Sequence, residues 1–266
     1  MKILNGAEIA GYMKENQAHI ARSLRASGVT PKLVIIRNND DPVIMKYVGL
    51  KQQYGEDIGV EVEDWLRNDI ATAIEEANND KSVHGVIVQL PLKGESNVDE
   101  LVKEISALKD VDGLASQWTS TGEIKFESAT ATAINWLLSG YNIDLNGKRI
   151  ALVGHGRLVG APLERMWRSS GYDVTVFRSK SDLSELVDYD VIVSATGKPH
   201  LIKDQMVKTG AVVVDAGTAS EGGFLVGDVD DAVRERKDLT AITPKVGGVG
   251  PLTVATLFEH VLMAAR

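Results

Sequence analysis

Tyr47 and Lys51 lie four residues apart in the run Asp41-Pro42-Val43-Ile44-Met45-Lys46-Tyr47-Val48-Gly49-Leu50-Lys51. Asp41 can cap a helix and Pro42 suits its first turn, where a missing N–H costs nothing. On that helix the phenol and the amine share one face, a turn apart. Such a pair can hold a flat substrate and exchange a proton with it. The plainer reading of the same spacing is a solvated helix face. A carboxamide, Gln89, follows the apolar run Gly85-Val86-Ile87-Val88. Asp110 and Asp112 sit in Lys109-Asp110-Val111-Asp112-Gly113, where turn chemistry alone accounts for both. Gly154-His155-Gly156-Arg157-Leu158-Val159-Gly160 has the spacing G-x-G-x-x-x-G, one residue longer than the usual dinucleotide fingerprint.

Regular elements must position these groups. Periodicity predicts an amphipathic helix over 7–27, a buried strand at 33–37, the Tyr47/Lys51 helix ending near Gly59, and a strand at 60–65. A helix over 69–79, a strand at 85–90 broken by Pro91 and a helix over 98–107 follow. Alternation of this kind points to a parallel α/β layer, whose ligands sit beyond the carboxyl ends of the strands. Gln89 occupies such an end. After a helix over 129–139, the strand 149–154 runs into the glycine cluster, and a helix over 161–170 and a strand at 173–178 complete a βαβ unit. Glycines there admit a close backbone approach, and the helix N-terminus favours a pyrophosphate. Strands at 191–195, 212–215 and 239–243 end in small residues, among them Thr218, that leave room for a flat cofactor. A glycine-rich loop, 245–251, precedes a last helix over 252–265.

The second strand of that unit ends in Arg178-Ser179-Lys180 instead of a carboxylate, which favours the 2′-phosphate of NADP over NAD. The plainer alternative is that these cations belong to a solvated loop. A formal net charge of −8 argues against a nucleic-acid or anionic-membrane binder. The absence of cysteine excludes thiol catalysis, zinc thiolate sites and disulfides. No apolar run approaches the ~20 residues of a membrane span, and Met1–Gly6 leads into a helical pattern without the apolar core of a secretion signal. A soluble, cytoplasmic protein is expected. The five histidines are scattered and suggest no metal cluster; His155 is expected beside a phosphate or ribose.

Taken together, Tyr47-x-x-x-Lys51, Gly85-Val86-Ile87-Val88-Gln89-Leu90-Pro91-Leu92, Lys109–Gly113, Leu158-Val159-Gly160-Ala161-Pro162, Gly227-Asp228-Val229-Asp230 and Gly247-Gly248-Val249-Gly250-Pro251 resemble, in order and nearly end to end, the bifunctional methylenetetrahydrofolate dehydrogenase/methenyltetrahydrofolate cyclohydrolase enzymes. The resemblance implies a two-domain α/β enzyme: an N-terminal catalytic domain over 1–125, joined by the last helix 252–266, and a Rossmann-type NADP-binding domain over 126–251, with a cleft between them. It implies tetrahydrofolate one-carbon derivatives as substrates, a role in one-carbon supply to purine biosynthesis, and a homodimer paired through the Rossmann domains. Lys51 would be the central acid/base residue with Gln89 as its hydrogen-bonding partner. Tyr47 would pack on the folate and Asp112 would bind the polar edge of the pterin. Val88, Leu90 and the Gly247, Gly248, Val249, Gly250, Pro251 segment would line the folate site. Gly154, His155, Gly156, Arg157, Arg178, Ser179 and Thr218 would hold NADP.

The chain departs from the family pattern mainly in its cofactor half. Gly154-His155-Gly156 replaces the usual G-R-S, so the arginine for the 2′-phosphate is missing from its place; Arg157 or Arg178 could compensate. Ser128-Ala129-Thr130-Ala131 keeps only the threonine of the usual proline-cysteine-threonine-proline segment. Val246 and Lys93 replace prolines, and Ser120 an asparagine. Three alternatives stay open on these residues. One is a cyclohydrolase with weak or NAD-dependent dehydrogenase activity. Another is a two-domain NADP-dependent dehydrogenase of hydroxy acids, which would call for an arginine clamp near Gln89 that is not seen. The third is a non-catalytic folate- or nucleotide-binding relative.

Overall fold

The computed structural model describes residues 1–95, 97–115, 125–217, 219–221 and 224–266. The chain divides into two compact units: Ala10–Ala129 with Val254–Arg266, and Met1–Ile9 with Thr130–Thr253. Two helices, α1 (Gly6–Ala26) and a C-terminal one, therefore run from one unit into the other.

The first unit is built on β2 (Lys32–Arg37), β3 (Glu61–Leu66) and β4 (Gly85–Val88), all parallel in the order β3-β2-β4. Successive residues of β2 and β4 are buried on opposite faces, which is why both strands read as unbroken apolar runs. Leu33, Ile35 and Ile87 face a core with Ile44, Val48 and Ile58 of α2 (Pro42–Ile58) and with Phe258, Val261 and Leu262. Val34, Ile36, Val86 and Val88 face the other core, with Ile70, Ala73, Ile74 and Ala77 of α3 (Ile70–Asn79). Asp41 caps α2 by accepting the Val43 N–H at 2.8 Å, and Gly59 at φ 81° closes it. Both ends match the sequence expectation. The helix expected over 98–107 is only α4 (Val98–Lys103). It stops because the Ser106 N–H donates to Asn78 Oδ1 at 2.9 Å in place of a carbonyl one turn back.

The second unit contains α5 (Ala129–Gly140) from Thr130 on, β5 (Arg149–Val153), α6 (Gly160–Ser169), β6 (Asp173–Phe177), β7 (Val191–Ser194), β8 (Val212–Asp215), the antiparallel hairpin β9 (Ala219–Glu221) and β10 (Phe224–Val226), α7 (Asp231–Glu235) and β11 (Ala241–Ile242). Its parallel sheet has the order β1-β11-β8-β7-β5-β6, in which β1 is Lys2–Ile3. The first residues, expected as a lead into a helix of the catalytic domain, thus form an edge strand of the other sheet, with Lys2 and Leu4 N–H groups donating to Thr240 and Ile242 carbonyls at 2.8 Å. Two residues are too few to show a strand period. The strand expected over 239–243 shortens to two residues, though Thr240 and Thr243 still donate into β8 and its lead-in. The last helix, α8, spans Val249–Ala264 and absorbs the last three residues of the expected glycine-rich loop. Pro251 falls in its first turn, where proline is well tolerated. No helix among the described residues is long and apolar enough to cross a membrane.

Candidate active site

α2 buries Ile44, Val48, Gly55 and Ile58, and this fixes the direction of its remaining faces. Tyr47 and Lys51 fall at the margin of the buried stripe, and both are half-buried. Lys51 Nζ donates to Gln89 Oε1 at 2.8 Å, and Gln89 Nε2 donates to its neighbour's carbonyl, Leu90 O, at 3.1 Å. Gln89 N–H continues the ladder to Ile36 O at 2.8 Å, so the carboxamide is held just past the carboxyl end of β4. The two loops that carry these groups are fastened together. Asn38 Nδ2 donates to Lys93 O at 2.9 Å and the Lys93 N–H donates back to Asn38 Oδ1 at 2.7 Å. A proline at position 93 could not make the second bond. Arg37, buried at the end of β2, grips Asp64 through both Nε and Nη2 at 2.7 and 2.8 Å and stiffens the same edge.

Lys109–Gly113 supplies the fourth group. Lys109 Nζ donates to the carbonyls of Ala77, Asn78 and Asp80 at 2.9, 2.8 and 2.7 Å, closing the C-terminal end of α3. Asp110 accepts the Leu114 and Ala115 N–H groups at 3.0 and 2.8 Å, which is the turn role expected of it. Gly113 has φ 69°, and a Cβ there would lie 2.5 Å from Ser128 N, so no other residue fits. This tight turn brings Asp112 into electrostatic contact with Lys51. Burial pushes the Lys51 ammonium below the ordinary lysine range while Asp112 opposes it. Burial likewise pushes the Asp112 carboxyl up while Lys51 opposes that. Desolvation wins for both partners. Lys109→Met should cost about 1–3 kcal/mol, the usual scale for charged hydrogen bonds, and thermal unfolding will read it; an unchanged midpoint would deny Lys109 its anchoring role.

Val88 points into the core and Leu90 is half-buried beside Gln89. The Gly247–Pro251 segment belongs to the second unit apart from its continuation into α8. There Gly247 O accepts the Ala7 N–H at 3.0 Å, and a Cβ on Gly6 would lie 2.0 Å from Gly248 O. Sequence reading missed Gly6. Its only signal is a glycine at the first position of a helix, where side-chain caps are commoner.

At the first turn of the second unit, a Cβ on Gly154 would lie 2.6 Å from Ala195 O, and one on Gly160 would lie 2.2 Å from Gly154 O. These glycines let α6 start directly over the exit of β5. A Cβ on Gly156 would meet nothing within 4 Å, leaving open space where a phosphate can approach backbone. Arg178, Ser179 and Lys180 are exposed at the end of β6, cations and a hydroxyl with no carboxylate among them. The donor set therefore fits a 2′-phosphorylated dinucleotide. His155 Nε2 lies 2.7 Å from Glu164 Oε2, and Glu164 Oε1 accepts Arg168 Nε at 2.8 Å. Burial pushes the Glu164 carboxyl up, but these two partners outweigh it and hold the carboxyl below its usual range. His155 is thus turned toward α6. Arg157 is half-buried in the same turn, and Thr218 lies outside the described residues.

Known proteins resemble this chain in sequence and fold. Residues 4–112 match the tetrahydrofolate dehydrogenase/cyclohydrolase catalytic domain, and residues 128–266 match the NAD(P)-binding domain of the same enzymes. The bifunctional protein FolD of Lactobacillus delbrueckii subsp. bulgaricus is 38% identical over 278 residues, covering 100% of this chain and 97% of its own. The crystal structure of the bifunctional enzyme FolD, a methylenetetrahydrofolate dehydrogenase/cyclohydrolase, from Campylobacter jejuni superposes with a TM-score of 0.91 at 34% identity, covering 100% of this chain and 98% of that one. The Trypanosoma brucei methylenetetrahydrofolate dehydrogenase-cyclohydrolase, complexed with NADP cofactor and inhibitor, gives 0.88 at 27% identity over 99% of this chain and 96% of that one. The chain belongs to the tetrahydrofolate dehydrogenase/cyclohydrolase family.

Proposed function

We propose that this enzyme oxidises 5,10-methylenetetrahydrofolate to 5,10-methenyltetrahydrofolate with NADP and hydrolyses the product to 10-formyltetrahydrofolate. The observation that carries the reading is the hydrogen bond between Lys51 Nζ and Gln89 Oε1, in a setting where burial weakens the lysine's hold on its proton. A neutral carboxamide orients the amine without fixing its charge, as a carboxylate would. Lys51 then takes and returns protons as water adds to the methenyl carbon and the ring C–N bond opens. Tyr47 stacks on the pterin, and Asp112, whose carboxyl burial favours in its protonated form, meets the pterin's polar edge. Leu90 and the Val88 backbone complete the folate contacts of this unit.

NADP supplies the hydride acceptor for the oxidation. Gly154, Gly156 and the start of α6 would hold its pyrophosphate, and Arg178 with Ser179 its 2′-phosphate, with His155, Arg157 and Thr218 beside them. The same reading carries a cytoplasmic location, pairing of two chains through the second unit, and supply of formyl groups to purine biosynthesis. Its direct test follows methenyl absorbance with methylenetetrahydrofolate and each nicotinamide cofactor in turn. The signal should appear and then decay, and faster with NADP than with NAD by about tenfold or more at equal subsaturating concentration, since an arginine–phosphate pair adds upwards of ~1.4 kcal/mol. Equal rates or a preference for NAD would overturn the cofactor assignment. A signal that never appears would overturn the oxidation.

A further inference from the structure

Asp112 is brought to Lys51 by a turn whose backbone has one anchor from far along the chain. His260 of α8 is buried, 6% exposed, and its Nδ1 lies 2.8 Å from the Val111 carbonyl oxygen. A carbonyl can only accept, so Nδ1 carries the hydrogen and His260 donates. Burial pushes the imidazole toward its neutral form, against the hydrogen bond to Val111 and the charges of Glu259 and Glu127, and one neutral tautomer suffices for this bond. The ring also stacks on Phe126, with centroids 5.0 Å apart and 27° between planes. Val111 itself is fully buried, and its carbonyl has no access to solvent to replace a lost donor. The next peptide in the chain is that of Asp112, whose own carbonyl accepts the Ala129 N–H at 3.3 Å.

We propose that His260 is a positioning residue for the hydrolytic site: its Nδ1–H fixes the Val111–Asp112 peptide and so sets Asp112 against Lys51. The inference rests on the reading of Asp112 as a folate-site residue. Removing the donor while keeping a flat ring leaves a buried carbonyl unpaired, and the peptide must rotate to find another partner. Rotation moves the Asp112 side chain, so the cost falls on catalysis as well as on stability.

The test compares His260→Phe, which keeps a ring beside Phe126 but has no donor, with His260→Asn, whose amide can donate from nearly the position of Nδ1. Hydrolysis of methenyltetrahydrofolate is measured alongside NADPH affinity, which depends on the other unit. H260F should lose about tenfold in kcat/KM for hydrolysis, the scale of one good hydrogen bond, with NADPH affinity unchanged, and H260N should recover to within about threefold of the parent. Full activity in H260F, or equal losses in H260F and H260N, would overturn the proposal. If H260F does not fold, Phe126→Leu takes its place, since it removes the ring contact and leaves the hydrogen bond. F126L should then hydrolyse within about threefold of the parent, and a tenfold loss would overturn the proposal. Asp112→Asn separates the two inferences: undiminished hydrolysis in D112N would sink the reading of Asp112, whatever the His260 variants do.

Discussion

Lys51→Met should abolish most hydrolysis of methenyltetrahydrofolate, by ~10²-fold or more, while leaving the protein at least as stable as its parent. The first half follows from the chemistry. Methionine fills a similar volume next to Gln89 but can neither take nor return a proton, and Gln89 Oε1 loses the donor it accepts from at 2.8 Å. The second half follows from linkage. Burial sets the folded-state pKa of Lys51 below the ordinary lysine value. Between those two values the unfolded chain binds the proton more strongly than the folded one, so stability rises with pH across that interval. Below that interval the folded state carries the whole cost of desolvating the amine, and an apolar side chain relieves it. Active sites commonly hold such a conflict between stability and activity. Hydrolysis at the parent rate in this variant would remove Lys51 from the mechanism. A fall in melting temperature of more than about 5 °C would show instead that the amine stabilises the fold, contrary to the direction of its shift.

The groups assigned this chemistry were more legible in the chain than the contacts that hold them. Asp41, Pro42 and Gly59 mark the ends of α2 by rules that act within a few residues, so Tyr47 and Lys51 could be placed on one helix face from sequence alone. Buried parallel strands announce themselves as apolar runs, which put Gln89 at a strand end. Asp112 was different. Local turn chemistry accounts for the whole Lys109–Gly113 run, and only the family resemblance singled out one of its two aspartates. In the structure Asp110 does take the turn role, while Asp112 interacts electrostatically with Lys51. His260 and Lys109 left no local signal, because each acts on a partner distant in the chain: Val111 for His260 and the carbonyls ending α3 for Lys109. The two-residue strand β1 was likewise invisible, since its pairing with β11 joins opposite ends of the chain. Periodicity reports which face of an element is buried; it does not report what that face meets.

Gly160→Ala should separate the two activities. A Cβ at this position would lie 2.2 Å from the Gly154 carbonyl oxygen and 2.8 Å from His155 Cα, so the start of α6 and the exit of β5 must move apart. Overpacking of this kind costs about 1–3 kcal/mol, and the displaced atoms are the backbone groups that would face a pyrophosphate. If that cost falls on the bound state, kcat/KM for oxidation with NADP drops by about 5- to 150-fold. Hydrolysis of methenyltetrahydrofolate supplied directly does not use this turn on the proposed reading and should stay within about threefold of the parent. Gly156→Ala is the companion variant. Its added methyl would meet nothing within 4 Å in the protein, so stability should not change, yet it occupies the space left for the ligand and should raise the KM for NADP. Undiminished oxidation in both variants would show that this turn does not hold the dinucleotide. An equal loss of hydrolysis in Gly160→Ala would show that the two reactions do not divide between the units as the positions of their residues indicate.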